Sequence, residues 1–85
     1  MFLAKVFVTL KPTVNDPPGM TVMGGLKTLG FDSVESVRLG KYLELKVNES
    51  DRSKAETQVT EMCRELLANP VIEEFSYELE ELPSV

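Results

Sequence analysis

The side chains able to make or break bonds are few in this chain. Cys63 is the single thiol and histidine is absent, which removes both the commonest general base and the commonest zinc ligand. Cys63 falls beside Met62 and Leu66 on an apolar stripe, so without a base to activate it the thiol reads as a small core residue. An iron–sulfur cluster would need four thiolates. The run Asp16-Pro17-Pro18-Gly19 could cradle an anion, because free N–H groups point outward at a helix N-terminus, but it also reads as an ordinary turn and cap. Arg38 and Lys41 flank Gly40, and they form either a solvated pair at a turn or a salt-bridging contact to a partner. Phe7 and Tyr42 could stack nucleic-acid bases only if basic charge surrounded them.

Charge argues against that last use. Nine Lys and Arg stand against fourteen Asp and Glu, a net of −5. Residues 71–85 hold Glu73, Glu74, Glu78, Glu80 and Glu81 with no base. Such a chain lacks a phosphate-neutralising patch, so neither nucleic acid nor an anionic membrane is an expected partner. The Glu-rich end is either a solvated stretch or a strip that docks on a basic groove. At 85 residues, with 42% hydrophobic and 27% charged, the chain reads as one small folded domain spanning residues 1–85. A domain this small is marginal unless another subunit covers part of it. A lone thiol, no export signal and no long apolar run place it in the cytoplasm by expectation.

The elements that would position these residues follow from periodicity. Phe2 to Lys11 alternates as a strand, with Ala4, Val6, Val8 and Leu10 on one side. Pro12 to Gly19 is a loop leading into a helix capped by Asp16, with Pro17 at its first position. Val22, Leu26 and Leu29 recur at helical spacing, and Gly30 ends the helix as a left-handed cap. Gly24 and Gly25 cost the helix about 1 kcal/mol each and would permit close backbone approach. Val34, Val37 and Leu39 before Gly40, and Leu43, Leu45 and Val47 after Lys41, read as two strands of a hairpin. Ser50 to Ala68 reads as a helix with Ala55, Val59, Met62, Cys63, Leu66 and Leu67 on one face and a Ser53–Glu56 capping box. Asn69 and Pro70 stop it, and Phe75, Tyr77 and Leu79 alternate in a last strand.

Strand, helix, strand, strand, helix, strand is the order of the α+β ferredoxin-like βαββαβ plait, a four-stranded antiparallel sheet with two helices on one face. Its bare face would carry Lys5, Phe7, Thr9, Tyr42, Glu44, Lys46, Ser76 and Glu78. That mixture of aromatic and polar residues suits either a subunit interface through Phe7 and Tyr42 or a solvated face. The fold decides nothing about activity. Acylphosphatases of this topology need an arginine in the first strand-to-helix loop, and here none precedes Arg38. A ligand-sensing regulatory module of the amino-acid-binding type is the other reading, with Gly24 and Gly25 as its support.

Five stretches resemble the PurS family, the small subunit of phosphoribosylformylglycinamidine (FGAM) synthase. They are Val6 to Lys11 (VFVTLK), Asp16-Pro17 with Gly19, Leu29-Gly30, Val37 to Lys41 (VRLGK) and Met62 to Glu73 (MCRELLANPVIE). Pro18 departs from the polar residue common there. The resemblance implies a non-catalytic subunit of a glutamine-dependent ligase in purine biosynthesis, with no catalytic residue, cofactor or metal site in this chain. It implies a complex using ATP, Mg and glutamine, in which the chain bridges a synthetase (PurL) and a glutaminase (PurQ) and assists ammonia transfer. It also implies a homodimer, with a tetramer left open. The candidate partner contacts are Asp16, Pro17, Gly19, Arg38, Gly40, Lys41, Asn69, Pro70 and Glu73.

Overall fold

The computed structural model describes residues 1–83. Three strands form one antiparallel sheet in the order β2-β1-β3. They are β1 (Phe2–Leu10), β2 (Gly40–Val47) and β3 (Glu73–Glu81), accompanied by α1 (Pro17–Thr28) and α2 (Arg52–Met62). Strand β1 lies in the middle, and Val6 stands opposite Leu43 on one side and Tyr77 on the other. Its alternation is realised in full: Phe2, Ala4, Val6 and Val8 are buried, while the residues between them face the other way.

The expected four-stranded sheet is not formed. Residues 34–39 make no strand and the hairpin around Gly40 is absent, because this segment spends its polar groups elsewhere. The Leu39 N–H donates to Asp16 Oδ2 at 2.8 Å, and the Arg38 guanidinium donates to the carbonyls of Lys11 and Val14, both at 2.9 Å. A backbone tied to the β1–α1 loop is not free to turn back along β2. The expected second strand is therefore missing, and the expected third becomes an edge strand.

The two helices also differ from the plait. Helix α2 lays Ala55 and Val59 on the sheet, and the core joins Val59, Cys63 and Ala68 to Ala4, Val6, Val8 and Val47, with Phe75, Tyr77 and Leu79 packed against it. No α1 residue belongs to this cluster. Gly19 is the one buried residue of α1, whereas Met20 is 62% and Val22 is 41% exposed. The radius of gyration is 16.6 Å, with principal extents of 49 × 29 × 15 Å; a compact chain of this length would have roughly 12 Å. Helix α1 thus stands off the sheet, and its apolar stripe remains uncovered within the chain.

Local signals at the helix ends are mostly obeyed. Asp16 caps α1 through Gly19 N at 3.0 Å. At the other end Gly30 adopts φ 96°, with Gly30 N on Lys27 O and Phe31 N on Leu26 O, the paired bonds of a Schellman stop. The cap of α2 is Asp51, which accepts from Ser53 N at 2.9 Å, so the Ser53 capping box is not the one used. Glu56 pairs with Arg52 instead, at 3.6 Å. Residues Cys63–Leu67 widen into a π turn, with Ala68 N on Cys63 O at 2.9 Å. The extra residue in that turn sends Leu66 outward, 84% exposed, although its spacing had placed it inward. Arg52 fastens the start of α2 to the sheet, donating to Leu79 O at 3.1 Å and lying over the Phe2 ring.

Truncation separates the core helix from the stand-off helix. Val59→Ala is expected to cost about 1–3 kcal/mol, as the loss of buried methyl groups does. Val22→Ala should stay within about 0.5 kcal/mol for the isolated chain. Urea unfolding at a concentration where the chain is monomeric checks both, and a loss at Val22 equal to that at Val59 would contradict this packing.

Candidate functional site

The candidate contact residues come from three separate stretches, and the ladder brings all three to one end of the sheet. Thr9 stands opposite Gly40, Leu10 opposite Glu73, and Lys11 N donates to Ile72 O at 2.8 Å. At this end the polar groups form two clusters.

The first is built on Asp16, which is only 3% exposed. Its Oδ1 accepts from Gly19 N and its Oδ2 from Leu39 N. These two N–H donors, Leu39 first, hold the carboxyl below its ordinary value, the Arg38 charge adds to them, and burial opposes them. Gly19 is required here because an added Cβ would run into the Val37 carbonyl oxygen and meet Asp16 Oδ2 at 2.9 Å. Pro17 follows the cap inside the first turn of α1. The Asp16–Gly19 run is therefore occupied by its own carboxylate, which leaves it no role as an anion cradle.

The second cluster joins Lys41 to the α2–β3 junction. Lys41 Nζ lies 3.6 Å from Glu73 Oε2 and donates to Leu67 O at 3.3 Å. Glu73 Oε1 accepts from Asn69 N at 2.7 Å, and Asn69 Oδ1 accepts from Val71 N at 3.1 Å. Asn69 O in turn accepts from Ile72 N and Glu73 N. Pro70 sits in this turn, exposed, and lines an open depression of about 430 Å³ together with Cys63, Ala68 and Phe75. Gly40 lies in the chain between Leu39 of the first cluster and Lys41 of the second, and a Cβ there would collide with the Val8 carbonyl oxygen. Arg38 and Lys41 thus do not share a hairpin tip; each staples a different junction. Spacing alone could not pair Asp16 with Leu39, because the contact runs through a backbone N–H that carries no residue-type signal.

The open sheet face is as expected. Phe7 and Tyr42 lie with ring centroids 5.1 Å apart and are 40% and 52% exposed. The Tyr42 hydroxyl donates to Glu44 at 3.0 Å, and the phenol is raised first by burial and then by that carboxylate. Lys5 pairs with Glu80 at 3.2 Å, whose hydrogen bond and charge raise its ammonium. Cys63 is fully buried and its thiol is pushed up by that burial. Among the described residues no three His, Cys, Asp or Glu side chains are grouped to hold a metal, and no helix is long and apolar enough to cross a membrane. Gly24 and Gly25 have nothing within 4 Å of an added Cβ, so no close approach inside the chain accounts for them.

The family model for PurS, described as phosphoribosylformylglycinamidine (FGAM) synthase, matches residues 3–81. The chain belongs to the PurS family. A phosphoribosylformylglycinamidine synthase subunit PurS from Bacillus subtilis is 46% identical over 82 residues, which is 96% of each chain. One from Synechocystis is 47% identical over 88% of this chain and 75% of its own. PurS from Methanocaldococcus jannaschii, described as one of the subunits of formylglycinamide ribonucleotide amidotransferase in the purine biosynthetic pathway, superposes with a TM-score of 0.87. It is 36% identical and covers 98% of this chain and all of that one. A chain of PurLQS from Thermotoga maritima superposes with a TM-score of 0.83 at 32% identity, over 94% and 99% of the two chains. The PurS family is thus a subunit family of FGAM synthase in purine biosynthesis, and PurS likenesses accompany the three-stranded architecture seen here.

Two measurements test the site. The folded Asp16 carboxyl is depressed, so its contribution to stability is present above the ordinary carboxylate value near 4 and is lost as pH falls through the folded value. Asp16→Asn, with one acceptor oxygen in place of two, should lower Tm at pH 7 by roughly 4–8 °C. The gap to the parent should narrow at pH 3, and a gap unchanged between the two pH values would contradict the assignment. Separately, Cys63 should react with a water-soluble disulfide reagent at least about tenfold more slowly in the native chain than in urea. Equal rates would show it to be accessible.

Proposed function

We propose that this chain is the small, non-catalytic subunit of FGAM synthase. It bridges the glutaminase (PurQ) and synthetase (PurL) subunits and helps ammonia pass between them, in the cytoplasm. The complex would convert formylglycinamide ribonucleotide, glutamine and ATP, with Mg, into formylglycinamidine ribonucleotide, glutamate, ADP and phosphate. The observation that carries this reading is the convergence of three of the stretches that carry the family resemblance at one end of the sheet, where the charged and amide side chains named above are engaged in holding shape. Asp16, Arg38, Lys41, Asn69 and Glu73 are tied to backbone or to one another. The one thiol is buried with its pKa raised. A rigid end with no activated nucleophile supports a docking role.

The physical need for such a subunit lies in ammonia itself. Released to water at neutral pH, ammonia is mostly protonated, and ammonium is not nucleophilic; an enclosed path between the two centres preserves the reactive form. The chain is a homodimer in this reading, with a tetramer left open, and the exposed Phe7–Tyr42 patch on the open sheet face is the surface through which two copies join. An aromatic pair among polar neighbours fits that use.

Reconstitution tests the reading. With glutamine as nitrogen donor, the other two subunits should make amidine at least about tenfold faster when this chain is added. With ammonium salts at high pH they should not need it. A full glutamine-dependent rate without the chain would overturn the bridging role. A rise in the isolated chain's Tm with free amino acids or nucleotides would point instead to a ligand sensor.

A further inference from the structure

The outer edge of β3 offers both unpaired backbone groups and a pattern of charge. Lys11 N donates to Ile72 O and Leu82 N to Met1 O, in the register that pairs Thr9 with Glu74 and Lys5 with Glu78. Antiparallel pairs alternate between bonded and non-bonded, so the even residues of β3 bond to β1. Phe75 and Tyr77 therefore turn their N–H and C=O groups outward. The free stretch is bounded at both ends, because Glu73 N donates to Asn69 O and Leu79 O accepts from Arg52 at 3.1 Å.

The two faces of this edge differ. On the open side stand Glu74, Ser76 and Glu78, all exposed. Among the described residues Glu74 and Glu78 make no ion pair. Lys5 stands opposite Glu78 but turns to Glu80, at 3.2 Å. On the helix side stand Phe75 and Tyr77, part-buried. The depression of about 430 Å³ at Cys63, Ala68, Pro70 and Phe75 lies on this side, and Arg64 lines both it and a second depression beside Tyr77. The edge thus has carboxylates without partners on one face and a guanidinium beside an apolar hollow on the other.

We propose that the edge of β3 from Glu74 to Glu78 takes an extended segment of a partner protein, paired antiparallel, with Arg or Lys facing Glu74 and Glu78 and apolar residues facing Phe75 and Tyr77. Backbone bonds to a sheet edge supply affinity in this mode of recognition, and alternate side chains supply specificity. The open carboxylates attract bases to one face of the segment, and Arg64 repels them from the other. A second copy's β3 is the wrong occupant: it carries Glu73, Glu74, Glu78, Glu80 and Glu81 with no base, and like charges across strands repel. Every pair in this sheet is antiparallel, and that arrangement is the more stable per residue. The pairing uses the edge alone and leaves the Phe7–Tyr42 patch free. It does not rest on the bridging reading, which the glutamine-dependent rate tests separately.

The probe is the peptide acetyl-Arg-Val-Arg-Val-Arg-Val-Arg-amide, added to the full chain at low salt. It should bind saturably with a Kd of about 1 mM or tighter. On binding, the backbone amide hydrogens of Phe75 and Tyr77 should exchange at least about threefold more slowly. In an antiparallel pair the valine nitrogens face β3 and the arginine nitrogens face away. Methylating the valine nitrogens should therefore abolish binding, and methylating the arginine nitrogens should leave it. Glu74→Gln together with Glu78→Gln should weaken binding about three- to tenfold, with circular dichroism confirming the fold. The same residues arranged as a block of arginines and a block of valines should not protect the two amides. No slowing at Phe75 and Tyr77, equal loss on methylating either set of nitrogens, or unchanged affinity in the folded double variant would overturn the pairing.

Discussion

The carboxylate of Asp16 roots the helix that does not pack on the core. One oxygen starts α1 by accepting from Gly19 N, and the other reaches the Leu39 N–H just before β2 begins. Both donors belong to backbone that no ladder or helix would otherwise satisfy, and hydrogen bonds to an ionised acceptor are stronger than neutral ones. Arg38 adds a second fastening, on the carbonyls of Lys11 and Val14. The entry to α1 and the return from it are thereby locked to each other at the end of β1. Helix α1 can then project without packing on the sheet, because its root is fixed.

That constraint has structural consequences in both directions. Residues 34–39 are held at the loop, so the β2 edge stays open and the sheet has three strands. The apolar stripe of α1, with Met20 and Val22 exposed, stays uncovered within one chain. A small domain with a core of mostly Val and Ala side chains and two uncovered apolar surfaces gains most from burying them against other chains. Membership of a family of subunits is consistent with this shape.

The second cluster, Lys41 with Glu73, Leu67 and Asn69, serves the junction between α2 and β3 in the same way. The π turn at Cys63–Leu67 takes up one extra residue, keeps Cys63 in the core and frees the Leu67 carbonyl for Lys41. In both clusters the charged side chains are engaged by backbone groups or by one another, and these contacts hold geometry.

Some of this could be read from residue order, because the responsible forces act within a few positions. Strand β1 followed from its two-residue alternation, the start of α1 from Asp16-Pro17, its stop from Gly30, and the family likeness from stretches such as LLANPVIE. The open face with Phe7 and Tyr42 followed from the same alternation. The fourth strand did not form, although Val34, Val37 and Leu39 have the right spacing for it. Periodicity reports which residues could share a face, but whether a strand finds a partner depends on where its N–H groups are already engaged. The Asp16–Leu39 bond, the Arg38 staple and the Lys41–Glu73 pair each join residues far apart in the chain. Such pairings leave no periodic trace, and only the tertiary structure decides them.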